Sequence, residues 1–209
     1  MPAIASSQFI VSLADVKLHL NISTTAQDSW LDKTIASMTK KIETFCNRRF
    51  KAATYTEFHD GNGKRGFIYV FNPPVGTVSV LAEDADRTFD SSTVFATSTY
   101  ISYTSEGKVE LLTGADNVST EINPVIFGKG QQNVKIVYTG GYADIPEDVQ
   151  IGALEWVATL NKVRDRKGWD VSNSNKGDVS TTYVTLGVMP EKVREFIFPY
   201  RMFRMGKRI

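Results

Sequence analysis

Three glycines in HDGNGKRGFIYVF (residues 59–71) have the spacing G-x-G-x-x-G: Gly61, Gly63 and Gly66. In a dinucleotide-binding loop, this spacing must be followed by a helix, whose N-terminus holds the pyrophosphate. Here a strand pattern, Phe-Ile-Tyr-Val-Phe, follows instead. A kinase glycine loop does lie between strands, but no V-A-I-K, H-R-D or D-F-G follows. We therefore predict that Gly61 and Gly63 serve a tight hairpin turn between TYTEF and FIYVF, with positive φ angles.

The remaining residues that could do chemistry are too few or wrongly spaced for a site. His59-Asp60 matches a metal-dependent phosphohydrolase dyad in two letters only, and His19 is the one other histidine. Cys46 lies beside a helical apolar stripe with no activating histidine suggested. An acidic group at 83, 84 and 86 lacks the pattern of a calcium loop. The sequence predicts no catalytic residue, no metal site, no cofactor and no enzyme activity.

The bulk composition is that of a globular protein. Of 209 residues, 42% are hydrophobic and 22% are charged, and the formal net charge is +1, so no global field attracts nucleic acid or membrane. One cysteine excludes an intrachain disulfide and suits a reducing compartment. We find no signal peptide and no run of about 18 apolar residues. These features predict a soluble protein made in a cytosol, with no membrane contact.

Helical patterns open the chain, at residues 12–50. Ser12 with Asp15 predicts the cap of a first helix, and Thr25 with Asp28 predicts the start of a second. The second helix then has an apolar residue every three or four positions, which predicts one buried stripe. The stripe consists of Leu31, Ile35, Met38, Ile42 and Phe45.

The period changes to two between residues 54 and 142, where short β-branched and aromatic runs alternate with turn residues. A long helix is predicted at 146–168, a flexible polar loop at 169–189, and a C-terminal helix with a docking arm at 190–209. We therefore predict an α+β fold in one domain, 1–209. It is mainly helical, with the N- and C-terminal helices packed together and a small antiparallel β unit inserted between them.

Two basic clusters leave a DNA-binding helical module open as an alternative function. The first cluster has the charges of solvated helix ends: Lys40, Lys41, Arg48, Arg49 and Lys51. The second, at the C-terminus, comprises Arg201, Arg204, Lys207 and Arg208, and it alternates with aromatic residues and methionine. So apolar a chain end either packs on its own domain or docks on a partner.

The order of these segments resembles the head–tail connector proteins of tailed phages, the adaptor or head-completion family. The resemblance rests on SLADVKLHLNI with DSWLDKTIASMTKKIETFCNRRF, on YTGGYADIPEDVQIGALEWVATLNKVRDRKG, and on PEKVREFIFPYRMFR. HDGNG and NPPVGTVSV are similar to the β insertion of that family. The resemblance covers roughly residues 12–82 and 134–204 and leaves residues 83–133 unaligned.

The resemblance implies a non-enzymatic ring subunit, about twelve-fold, beneath the portal protein at the head–tail interface of the virion. The ring would assemble in the bacterial host cytoplasm, extend the DNA channel without reading sequence, and present a surface to the next tail-completion or stopper protein. In this family the C-terminal segment reaches into the portal, which corresponds here to about 190–209. The portal-docking residues would then be Phe196, Phe198, Tyr200, Arg201, Met202, Phe203 and Arg204.

Overall fold

A computed structural model gives the fold in two compact units. The helical unit comprises residues 1–48 and 144–209, and the strand unit comprises 49–143. That the two units together form one domain stays a prediction. The structure describes residues 6–112, 125–165, 174–176, 179–181 and 189–202.

Four α-helices and eight strands follow one another along the described residues. In chain order they are α1 (Leu13–His19), α2 (Asp28–Cys46), β1 (Ala53–Gly61), β2 (Phe67–Tyr69), β3 (Val75–Glu83), β4 (Tyr100–Tyr103), β5 (Lys108–Leu111), β6 (Gly130–Gly140), α3 (Glu147–Asp165), β7 (Ser174–Lys176), β8 (Val179–Thr181) and α4 (Glu191–Ile197). Short 3₁₀ turns occupy Ser6–Gln8, Ser91–Thr93, Thr97–Thr99 and Phe198–Tyr200.

The start of α1 is as predicted, and the start of α2 is not. Ser12 and Asp15 form a reciprocal capping box in which the Asp15 amide donates to the Ser12 hydroxyl over 3.1 Å. The residue before α2 is Gln27, whose side chain makes no capping bond, so the predicted Thr25 cap is wrong. The Asp28 carboxylate instead accepts a hydrogen bond of 2.8 Å from the Lys17 ammonium, which ties α2 to α1.

The apolar stripe of α2 is the core of the helical unit. Leu31, Ile35, Met38 and Ile42 are buried, and Phe45 at the end of the stripe is half-buried. Helix α3 contacts α2 and buries Val149, Ala153 and Trp156, while Leu160 and Val163 are half-buried. The predicted helical phase is confirmed, because the residues that share one face by 3.6-residue spacing are those removed from water.

Two three-stranded antiparallel sheets form the strand unit. Their strand orders are β1-β6-β3 and β2-β5-β4. Alternate residues of the first sheet point at the second, so a common apolar core lies between the two sheets. This core contains Ile68, Val70, Val75, Val78, Leu81, Val109, Leu111, Phe127, Val134, Ile136 and Tyr138.

The predicted hairpin between the first two strands is wrong. Strand β1 pairs with β6, from Ala53 opposite Gly140 to Gly61 opposite Gly130, and β2 pairs with β5. The glycine loop therefore connects two different sheets. The reason is non-local, because β1 and β2 each pair with a strand much later in the chain, β6 and β5, and the turn residues between them carry no information on those partners.

The α+β class is confirmed, but the prediction of a mainly helical fold is wrong. The strand unit contains six of the strands and no α-helix within its described residues. It is therefore an all-β unit of two packed sheets with a core of its own. Within 169–189, the predicted flexible loop, β7 pairs with β8, from Ser174 opposite Thr181 to Lys176 opposite Val179. Among the helices that the structure describes, none is long and apolar enough to cross a bilayer.

Candidate functional site

The C-terminal segment begins as part of the helical core. Helix α4 packs on α3 at Gly152, where an added Cβ atom would lie 3.3 Å from the Cβ of Phe196 and 3.4 Å from the Cγ2 of Ile197. The absence of a side chain at Gly152 therefore sets how closely the two helices approach. Val193 and Ile197 of α4 are buried. Of the two alternatives for the apolar chain end, residues 191–197 therefore follow the first, because these side chains pack on their own unit and complete its core.

Residues 198–202 then run along the C-terminal end of α2. The Met202 amide donates to the Cys46 carbonyl over 2.9 Å, and the Asn47 side-chain amide donates to the Met202 carbonyl over 3.1 Å. Asn47 ends α2 in the left-handed conformation, with φ of 54°. The Tyr200 hydroxyl lies 3.5 Å from the Asp148 carboxylate at the start of α3. These bonds hold the segment in one place on the surface of the helical unit.

An aromatic and basic surface results where α2 ends. Two guanidinium groups face the ring of Phe45, with Arg201 at 5.0 Å and Arg194 at 5.8 Å from the ring centroid. Beside this ring lies an open groove of about 460 Å³, lined by Ser37, Lys40, Lys41, Thr44 and Phe45. Phe198 is 46% exposed, although it is a large apolar residue. Such a combination of exposed aromatic and basic side chains is typical of docking surfaces.

The predicted docking residues divide into three groups. Phe198 is exposed, while Phe196, Tyr200, Arg201 and Met202 are half-buried against the helical unit. Phe203 and Arg204 lie outside the described residues. Residue-by-residue reading missed Phe45 and Arg194. The available signal was the i, i+3, i+4, i+7, i+8 spacing of the groove residues on α2, which marks a second helical face beside the buried stripe.

Cys46 is a buried structural residue beside this surface. Its thiol lies 3.6 Å from the Ile197 carbonyl, and it has no exposed surface. Burial raises the pKa of the Cys46 thiol to about 12, despite the nearby Arg48 and Arg201 charges that lower it. Since the thiolate is the nucleophile, a thiol with so high a pKa is unreactive near neutral pH.

Four amides of the glycine loop already donate to acceptors of the protein itself and are not available to cradle a phosphate. The Gly61 amide donates to the Asn133 side chain over 2.8 Å, and the Gly63 amide donates to the Phe127 carbonyl over 3.1 Å. The next two amides, at 64 and 65, both donate to the Asn62 carboxamide over 2.9 Å. Gly63 has φ of +65°, but Gly61 ends β1 without a positive φ, so its predicted turn conformation is wrong. Gly61 is needed because an added Cβ would collide with the Gly128 carbonyl.

A buried polar cluster in the strand unit superficially suggests catalysis. The Glu57 carboxylate accepts hydrogen bonds of 2.5 Å from the Tyr138 hydroxyl and 3.1 Å from the Phe71 amide. It also lies 3.0 Å from Nε2 of His59. Burial, chiefly, and the bond to Glu57 raise the pKa of Tyr138 well above its ordinary value. The cluster spans β1, β6 and the end of β2, so it joins the two sheets. Across the described ranges, no group of three or more His, Cys, Asp or Glu residues could hold a metal ion.

Comparison with known proteins gives one family and one fold. The family model described as "Head completion protein" matches residues 9–203. No curated protein matches. Three similar solved chains come from gene transfer agent (GTA) particles. The neck of an empty GTA particle computed with C6 symmetry has a TM-score of 0.60 at 17% identity, covering 100% of this chain and 97% of that chain.

The other two structures agree with the first. A chain from the virion of a native GTA particle has a TM-score of 0.61 at 16% identity, covering 98% of this chain and 95% of that chain. A chain from the neck of a native GTA particle computed with C12 symmetry has a TM-score of 0.55 at 19% identity, covering 100% and 97%. At these identities the likeness concerns the fold.

Proposed function

The chain belongs to the head completion protein family, and on that premise we propose that it is a ring subunit that joins the portal to the tail. As a family member it is a structural protein of a phage or phage-like virion, and it is not an enzyme. The ring, about twelve-fold, would bind beneath the portal and extend the DNA channel without sequence readout. Its opposite surface would receive the tail-completion or stopper protein, and assembly would take place in the host cytoplasm.

The match of the family model to residues 9–203 carries this proposal, since it covers both units. The symmetry of the similar neck structures, C6 and C12, supports a ring. We assign the portal-facing surface to the C-terminal segment because its described part exposes Phe198, a large apolar side chain. The exposed Arg194 of the same segment could donate to acidic or carbonyl groups of a partner.

The first experiment tests Phe198 as the docking residue. Purified protein is mixed with DNA-filled, tailless heads and sedimented, and bound protein is quantified over a range of concentrations. We expect Phe198→Ser to weaken head binding by about tenfold or more, the effect of losing one interfacial anchor. The matched control is Leu18→Ser, because Leu18 is 83% exposed in the same unit but lies on α1.

The outcomes separate the surface from the function. If the wild-type protein binds heads and Phe198→Ser binds no more weakly than Leu18→Ser, the portal contact lies elsewhere on the chain. Failure of the wild-type protein to bind heads would overturn the connector proposal. A chain ending at Met202 tests the contribution of 203–209 while keeping Val193 and Ile197, whose burial a shorter truncation would destroy.

A further inference from the structure

The outer face of the β2-β5-β4 sheet carries an exposed aromatic layer. Strand register places Lys108 between Tyr69 and Tyr103, and Glu110 between Phe67 and Ile101. Tyr69 is 53% exposed, and Ile101 and Tyr103 are also exposed. The alternate residues, such as Ile68 and Val109, point into the shared core. We name this surface the aromatic face; it consists of Phe67, Tyr69, Ile101, Tyr103, Lys108 and Glu110.

The two charges of the aromatic face neutralise each other. The Lys108 ammonium lies 2.7 Å from a Glu110 carboxylate oxygen. It also lies 4.8 Å from the ring centroid of Phe67 and 5.0 Å from that of Tyr103. The hydrogen bond between Lys108 and Glu110 raises the pKa of Lys108 and lowers the pKa of Glu110, so both side chains stay charged. A partner that covers this face therefore meets a paired charge rather than an isolated one.

The side chains of the aromatic face also contact one another. The Phe67 and Tyr69 rings meet edge to face at 5.6 Å, and Lys108 is fixed between two rings. Such contacts lower the conformational entropy that these side chains would lose on binding. With roughly 200 Å² for a whole aromatic side chain, the face exposes on the order of 300 Å² of apolar surface. That area is in the range of the largest patch on a monomer, which is often functional.

A second aromatic cluster lies on the opposite side of the strand unit. In the β1-β6-β3 sheet, Phe58 is directly opposite Lys135, and both point away from the core that Ile136 and Tyr138 enter. Phe58 is 44% exposed and packs on Phe89 with ring centroids 5.5 Å apart. The Lys135 ammonium lies 5.5 Å from the Phe89 ring. Because the two sheets share one core, their outer faces point in opposite directions.

We propose that the aromatic face of one subunit packs on the Phe58–Phe89 cluster of the next copy of this chain in the ring. This interface rests on the proposed function, which supplies the ring. A head-to-tail contact around a ring requires two different surfaces on every subunit, one for each neighbour. A partner that docks once needs only one surface. The strand unit has two different aromatic clusters on opposite sides, one for each neighbour in a ring. This arrangement favours a second copy of the chain as the partner of each cluster.

Photocrosslinking in assembled particles tests the interface directly. Three variants of the full chain each carry p-benzoylphenylalanine, in place of Tyr69, Phe58 or Leu18. Each is bound to DNA-filled, tailless heads, sedimented, irradiated and separated on a denaturing gel. We expect covalent dimers of this chain from the Tyr69 and Phe58 positions, at least about fivefold above the Leu18 control, as direct contact within the interface requires. Peptide mapping should place the Tyr69 adduct on β1, β6 or the segment around Phe89.

Each outcome decides between the alternatives. Adducts from Tyr69 to the portal or another head protein, or dimers no stronger than the Leu18 background, would overturn the interface. So would dimers whose adducts map away from the Phe58–Phe89 cluster. In these cases the variants still sediment with heads, and the connector function stands. If wild-type protein fails to sediment with heads, the connector function falls, and the interface falls with it.

Discussion

The two units bury polar groups in different ways. In the helical unit, a buried hydroxyl such as that of Thr34 donates to a carbonyl in its own helix, that of Trp30, over 2.8 Å. In the strand unit, the carboxylate of Glu57 is satisfied by groups from other parts of the chain, Tyr138 and Phe71. The helical unit therefore relies on apolar packing with separate polar bonds, another being that of the Ile10 amide to the buried Thr39 hydroxyl over 3.2 Å. The strand unit adds a buried network that only one arrangement of its strands can complete.

The largest expected effect tests apolar packing in the helical unit. Trp156 is buried on α3, with the Lys41 ammonium 5.6 Å from its ring. Trp156→Ala should lower the free energy of unfolding by about 3–5 kcal/mol, because it removes a large buried side chain and leaves a cavity. Denaturant titration followed by circular dichroism measures the change. Leu18→Ala, at an exposed position, should stay within about 0.5 kcal/mol of wild type. A Trp156 effect as small as that of the control would break the comparison.

The next effect tests the network in the strand unit. Glu57→Leu removes the acceptor of both the Tyr138 hydroxyl and the Phe71 amide. We expect a loss of about 2–3 kcal/mol in the free energy of unfolding, because buried donors are left unsatisfied. The same denaturant titration measures this loss.

A double-mutant cycle shows whether the loss comes from the orphaned hydroxyl. Tyr138→Phe removes that hydroxyl, so Glu57→Leu with Tyr138→Phe should recover about 1 kcal/mol relative to the sum of the two single changes. Strict additivity would mean that the cluster is not a coupled network, and the contrast between the units would then lose its basis.

The smallest effect concerns an exposed polar cluster, where solvent screens every contact. The Thr88 hydroxyl, then the Phe89 and Asp86 amides, donate to Asp84 and lower its pKa from 3.8 to about 2. A lowered folded-state pKa adds stability above pH 3.8 and loses it as the pH falls through about 2. The acid-induced fall in stability between about pH 4 and pH 2 should be shallower in Asp84→Asn than in wild type. Denaturant titrations across this pH range measure the slopes, and equal slopes would refute the assignment.

Features that depend on residues close together in the sequence could be predicted, and features that depend on distant residues could not. The Ser12–Asp15 cap and the α2 stripe involve neighbours within one or two turns, and both were predicted. The pairing of β1 with β6 joins residues about eighty positions apart. The local turn signal at Gly63 predicted a hairpin between β1 and β2 instead, because a local pattern carries no information on so distant a partner. At the candidate site, Phe198 was named as a docking residue from the family resemblance and the apolar chain end, and that role stays a prediction. Phe45 and Arg194 were missed, because only the fold brings α4 to the end of α2.

The hydrogen bonds where the strand unit begins and ends bear on how such a chain can diversify. The Tyr142 amide donates to the Phe50 carbonyl over 2.7 Å, and the Ala52 amide donates to the Tyr142 carbonyl over 2.9 Å. These bonds hold the two ends of the strand unit close together. The number of residues between the ends therefore does not change the distance that the rest of the chain must span. For the closure entropy of the remaining chain, the insertion counts as a short loop. Chain closure alone would therefore allow another module with paired ends in place of residues 49–143, but that module would also have to supply the surfaces that this unit presents.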